Sequence, residues 1–103
     1  MRKYKVLVVD DQPHIFSIIE MCLDRTQYEL YYARNGLEGV KKAKSVKPDI
    51  IIMDVMMPEM DGYTASMKLR EEEETSDIPI IILTVRDEKI YKMVSQTMGA
   101  TFH

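Results

Sequence analysis

The chain has 103 residues, a formal net charge of −3, and 46% hydrophobic against 30% charged residues. That length supports one hydrophobic core rather than two, the composition excludes a disordered or fibrous chain, and the acidic balance speaks against nucleic-acid binding by this segment, which needs clustered cations. No apolar run approaches the roughly 20 residues of a membrane span, and the run behind the basic N-terminus stops at Val9, too short for a secretory leader; with a single cysteine, Cys22, the expected address is cytoplasmic.

Residues 5–9 (Lys-Val-Leu-Val-Val) form a continuous apolar run that halts at Asp10-Asp11, the mark of a strand buried on both faces. From Pro13 the period changes, and Ile15, Ile18, Ile19, Cys22 and Leu23 recur as on an amphipathic helix, with Asp11 its expected N-cap. Cys22 falls on that apolar stripe and is expected to pack as a small hydrophobe; His14, at the helix start, is expected to face solvent. Residues 28–33 are rich in β-formers and run into the turn signal Asn35-Gly36. Leu37, Val40, Ala43 and Lys44 space a second helix that must close before Lys47-Pro48.

Ile50-Ile51-Ile52-Met53 repeats the buried-strand pattern and again stops at an aspartate, Asp54. A loop with Pro58 and Gly62 follows, where Pro fixes φ and Gly permits otherwise costly conformations. A third helix is expected over about 63–72, its acidic end Glu71-Glu72-Glu73-Glu74 opposing the helix dipole and so placed in frayed helix and solvated loop. Residues 78–83 read as a fourth strand with Pro79 at its margin, ending at Thr84. A fourth helix over 87–98 turns Ile90, Met93, Val94 and Met98 inward and stops at Gly99.

Strands that alternate with helices imply right-handed βαβ units and a parallel sheet covered on both faces. Ligands of such sheets bind beyond the carboxyl ends of the strands, at the switch point of the topology. Asp10-Asp11, Asp54 and Thr84 all stand at such ends, so fold logic draws them into one crevice. Three carboxylates placed together repel one another, and a hard divalent cation that keeps several waters, Mg2+, resolves the conflict.

At these positions the chain resembles a known family. Val8-Val9-Asp10-Asp11, the segment Asp54-Val55-Met56-Met57-Pro58-Glu59-Met60-Asp61-Gly62, and Leu83-Thr84 are similar to the three signature blocks of response-regulator receiver domains of two-component signalling. The resemblance covers essentially the whole chain. It implies an α/β, flavodoxin-like doubly wound parallel sheet of strand order 2-1-3-4-5. It also implies that Asp54 accepts a phosphoryl group from a sensor histidine kinase or phosphotransfer protein. Asp11, Asp54 and the Met56 backbone carbonyl would hold Mg2+, with Asp10 acting directly or through water. Thr84 would hydrogen-bond the phosphoryl group and shift inward; Met56 and Arg86 stand where the family tunes the lifetime of the modified state. His103 aligns with an aromatic switch position.

Receivers of this family continue through a fifth strand ending in a lysine that pairs with the phosphoryl group, and then a fifth helix. Here no lysine takes that place, and Lys89 and Lys92 on the fourth helix read as solvated surface. The expectation is therefore one receiver domain over 1–103, C-terminally incomplete, with its fifth strand unfinished and its fifth helix absent; a dimer covering the open edge is a further expectation. Three functions follow: a phosphorylation switch acting on a downstream output domain or protein, a receiver-like interaction module without phosphorylation, and a Mg2+-dependent phosphohydrolase. Against the last, Asp10-Asp11-Gln12 lacks the Asp-x-Asp nucleophile pattern. The first is the expected one, a signalling domain whose only chemistry is its own phosphorylation and dephosphorylation.

Overall fold

The apolar runs pair side by side in one parallel sheet. The computed structural model describes residues 2–55, 57, 60–83, 94 and 96. Their order is β1 (Tyr4–Val9), α1 (Pro13–Cys22), β2 (Tyr28–Ala33), α2 (Gly36–Val46), β3 (Ile50–Asp54), α3 (Gly62–Glu71) and β4 (Ile80–Leu83). The sheet runs β2-β1-β3-β4, with Tyr4 beside Tyr28, Val6 beside Ile50 and Ile51 beside Ile80. These are the first four strands of the expected 2-1-3-4-5 order. The residues assigned to a fifth strand lie outside the described ones.

Val6 to Val9 of β1 and Ile50 to Met53 of β3 are apolar at every position and fully buried because both faces of these strands are covered. Val6, Val8, Ile50 and Ile52 pack with Ile15 and Ile19 of α1 and with Val94. Leu7, Val9, Ile51 and Met53 point the other way, onto Val40 and Ala43 of α2 and Ala65 and Leu69 of α3. The period-2 alternation of a strand thus feeds two separate cores, and each fully buried Leu or Ile contributes about 2 kcal/mol through removal from water. Val94 and Gln96 are helical, Val94 buried and Gln96 exposed, as expected of the fourth helix. The rest of that helix lies outside the described residues. Cys22 is half-buried against the first core, where burial pushes its thiol up from the ordinary value. His14 is exposed.

Local chemistry sets the ends of the elements, and at three of them it departs from expectation. Gln12, not Asp11, is the N-cap of α1, without a side-chain cap, because the Asp10 carboxylate takes the Gln12 N–H at 2.9 Å instead. β4 begins at Ile80 rather than at residue 78: Ile78 N–H turns back to the Thr75 carbonyl, although the Pro79 carbonyl still accepts from Ile51 N–H at 2.9 Å. At the acidic block, Glu71 ends α3 and Glu72 caps it, while Glu72 also pairs with Lys44 of α2 at 2.9 Å. The block is therefore anchored in part rather than wholly solvated.

α2 is the best-capped of the three helices described. Asn35 Oδ1 accepts from Glu38 N–H at 2.8 Å, Lys47 closes the other end in the left-handed region at φ 53°, and Pro48 forbids continuation. Asn35→Ala is expected to cost about 1 kcal/mol. Urea denaturation should show it as a lower midpoint at unchanged slope, and a midpoint equal to that of the wild type would contradict the capping role.

Candidate functional site

β1 lies between β2 and β3, so the chain leaves it first toward one side and later returns on the other. That reversal opens a crevice at the carboxyl ends of β1 and β3. Asp10 follows the last residue of β1, and Asp54 is the last residue of β3. The register Val9 beside Met53 sets the two aspartates next to each other. Asp10 and Asp54 are buried, 0% and 1% exposed, and Asp11 is exposed. One oxygen from each of the three lies within 4.8 Å of the others. The sequence-predicted acidic residues are thus brought together, closed on the sheet side and open to solvent through Asp11.

Among the described residues the donors that meet here are three carboxylates, a hard-oxygen set. Such a set, with a solvent-facing side where water can complete the shell, fits Mg2+ rather than a thiolate- or imidazole-seeking metal.

The surrounding chain holds these groups closely. Asp10 donates its N–H to the Ala33 carbonyl at 3.0 Å, and its own carbonyl accepts from the Tyr32 hydroxyl at 2.6 Å. The Tyr32 ring packs on Phe16 with centroids 5.2 Å apart. Burial, then the charges of Asp10, Asp11 and Glu38, push the Tyr32 phenol up against an opposing Arg34, so it stays a donor. Beyond β3, Gly62 N–H donates to the Val55 carbonyl at 3.0 Å. Asp61 caps α3 by accepting from Thr64 N–H at 2.8 Å, a bond that holds its carboxyl below the usual range. Gly62 is needed for a reason other than its conformational freedom, since no described glycine has a positive φ. A Cβ there would sit 2.0 Å from the Asp54 carbonyl oxygen.

Met56, Thr84, Arg86 and His103 lie outside the described residues, as does Pro58. Tyr32 is the site residue that sequence reasoning missed. Its role depends on the register of β2 against β1, which places it beside Val8, and nothing in its own neighbourhood announces it. No helix among the described residues is long and apolar enough to cross a membrane.

Comparison with known proteins bears on the same residues. The chain is 38% identical over 96 residues to the alkaline phosphatase synthesis transcriptional regulatory protein PhoP of Bacillus subtilis, covering 93% of this chain but 39% of PhoP. It is 35% identical over 96 residues to Protein PilH of Pseudomonas aeruginosa, covering 93% of this chain and 79% of PilH. The chain therefore spans about two fifths of the length of the transcriptional regulator and most of PilH. Its fold superposes with a TM-score of 0.75, at 28% identity and over 93% of this chain and 79% of the other, on the receiver domain of the sensor histidine kinase PA1611 from Pseudomonas aeruginosa PAO1, a structure with a magnesium ion coordinated in its active-site cleft. The response regulator receiver domain matches residues 6–102, and with the flavodoxin-like sheet and the acidic crevice this chain belongs to that family.

Proposed function

We propose that the chain is a phosphorylation-controlled switch in which Asp54 accepts a phosphoryl group from a histidine kinase or phosphotransfer protein and thereby changes the binding of an output domain or partner. The observation that carries this reading is the placement of Asp54, 1% exposed at the end of β3, with the carboxylates of Asp10 and Asp11 within 4.8 Å. A buried carboxylate beside two others is an unfavourable arrangement for stability alone, and it is suited to a site that handles a polyanion together with a cation.

In the proposed transfer, a carboxylate oxygen of Asp54 forms a bond to the phosphorus of a phosphohistidine. The P–N bond breaks in line, and its electron pair leaves with the imidazole, which then takes a proton. Such a transfer needs positioning and charge neutralisation more than covalent assistance from the protein. β3 supplies the positioning, because the Asp54 backbone is fixed in the sheet beside Leu83 of β4. Asp11 and Asp54 would hold Mg2+, with Asp10 directly or through water and the Met56 carbonyl completing the set. When bound, Mg2+ neutralises charge on the phosphoryl oxygens. The sequence resemblance adds Thr84 as hydrogen-bond donor to the phosphoryl group, Arg86 and Met56 as tuning residues, and His103 as switch. The readout is a shift of population toward a state with altered partner contacts.

The test is incubation with Mg2+ and beryllofluoride, or with a small phosphodonor, followed by NMR and intact mass. Wild type is expected to show a shift confined to the crevice and, with the phosphodonor, one added phosphoryl group; Asp54→Asn should abolish both. Modification that persists in Asp54→Asn would place the acceptor elsewhere and sink the reading.

A further inference from the structure

We infer that Tyr32 is a positioning residue of the acidic crevice, its hydroxyl fixing the Asp10–Asp11 peptide so that the exposed carboxylate of Asp11 meets the buried pair. The inference rests on the metal-binding reading of the crevice and extends it to a residue on β2, an element that contributes none of the carboxylates.

Asp11 is the exposed member of the trio. It sits on a turn between the end of β1 and the start of α1, and an exposed turn has several backbone orientations open to it. Here the residue before it is held at three points. Its N–H donates to the Ala33 carbonyl at 3.0 Å, its Oδ1 accepts from Gln12 N–H at 2.9 Å, and its carbonyl accepts from Tyr32 Oη at 2.6 Å. The first bond continues the β1–β2 pairing, and the second closes a local turn. The third acts directly on the plane of the peptide that leads into Asp11, because the carbonyl belongs to that plane.

Tyr32 is in turn held from both ends. Its ring lies against Phe16 of α1, centroids 5.2 Å apart, and its own carbonyl accepts from the Lys42 ammonium of α2 at 2.7 Å. Helices from opposite faces of the sheet thus hold one tyrosine, and the tyrosine aims a hydroxyl at the acidic turn. Groups that orient ligands in this way govern metal affinity without touching the ion.

Tyr32→Phe keeps the ring and removes only the hydroxyl. Its melting midpoint without metal should stay within a few degrees of wild type, while its Kd for Mg2+, by calorimetry, should rise about tenfold, the low end for an outer-shell partner. Hydrogen exchange of the Gln12 amide in metal-free protein should also speed up about tenfold, since the Asp10 turn is loosened, whereas the Glu38 amide, bonded to Asn35, should exchange as before. Phe16→Leu, which perturbs the ring but spares the hydroxyl, should fall between the two. Wild-type exchange at Gln12 together with a Mg2+ Kd within twofold of wild type would overturn the proposal. Loss of the fold in Tyr32→Phe would overturn it too, making the hydroxyl a structural requirement. If wild type itself bound no Mg2+, the metal reading would fail, and the Gln12 exchange rate would still decide the role of Tyr32.

Discussion

Replacing Gly62 with alanine is expected to destabilise the fold by about 3 kcal/mol, the upper part of the range for overpacking a tightly packed site. A Cβ at this position would lie 2.0 Å from the Asp54 carbonyl oxygen, 2.9 Å from its carbonyl carbon and 3.1 Å from Met53 Cγ. The first two obstacles are main chain of a fully buried central strand, so no side-chain rotation relieves them. Intrinsic propensity works in the opposite direction, but alanine is favoured over glycine by about 1 kcal/mol only in a helix interior, and Gly62 is the first residue of α3. The contact outweighs it because 2.0 Å is far inside any van der Waals separation. Relief requires α3 to lift off β3, breaking the Gly62-to-Val55 bond, or β3 to bend at Asp54, the last residue of the strand.

The same substitution at Gly36 makes a useful contrast. Its Cβ would meet Met60 at 2.4 Å, but Met60 is a half-buried residue outside any helix or strand. A loop shifts at lower cost, so Gly36→Ala should lose less. Urea denaturation at neutral pH measures both. A loss below about 1 kcal/mol for Gly62→Ala would show that α3 can move away freely, and the close-approach account would be wrong.

Much of the fold was legible because the central strands leave no ambiguity. Residues 6–9 and 50–53 are apolar at consecutive positions, and a strand covered on both faces asks for that. The polar residue that ends each run then marks the carboxyl edge of the sheet, so Asp10, Asp11 and Asp54 could be placed in one crevice before any distance was known. What sequence did not show depends on partners distant in the chain. Asp11 had the composition of an N-cap, yet the Asp10 carboxylate captured the Gln12 N–H and moved the helix start by one residue. Gly62 had the look of a turn glycine, but its requirement comes from the Asp54 carbonyl on another element. Tyr32 read as one β-former among several, and only the β1–β2 register turns its hydroxyl toward Asp10. Composition and periodicity report what a residue needs from solvent, whereas these roles are set by what it meets across the fold.

Asp10→Asn is expected to be more stable than wild type without divalent metal and to lose at least about half of the stabilisation that Mg2+ gives. Two charges 4.8 Å apart, the outer limit here, repel by about 3 kcal/mol at the effective dielectric constant suited to proteins, before screening by salt. Asp10 and Asp54 are both buried, so solvent attenuates their repulsion less than at a surface. Asparagine retains an Oδ1 for the Gln12 N–H, and it leaves both the main-chain bond to Ala33 and that from Tyr32 in place. The charge is therefore removed with little change in geometry, and the sign of the metal-free effect follows from the repulsion alone. With Mg2+ the gap narrows. At one hundred times Kd a ligand adds about 2.7 kcal/mol to the folded state, which for a domain of this size raises the melting midpoint by about 10 to 20 °C. Wild type should show that rise between chelator and saturating Mg2+, with potassium at matched ionic strength giving much less, because screening relieves a buried pair poorly. Asp10→Asn should start higher and respond at least tenfold more weakly in apparent affinity, having one ligand charge fewer. Calorimetric melts of both proteins with and without Mg2+ carry the test. If wild type gave the same midpoint in chelator and in Mg2+, or if Asp10→Asn melted lower than wild type in chelator, the crevice would owe its arrangement to something other than balancing a cation.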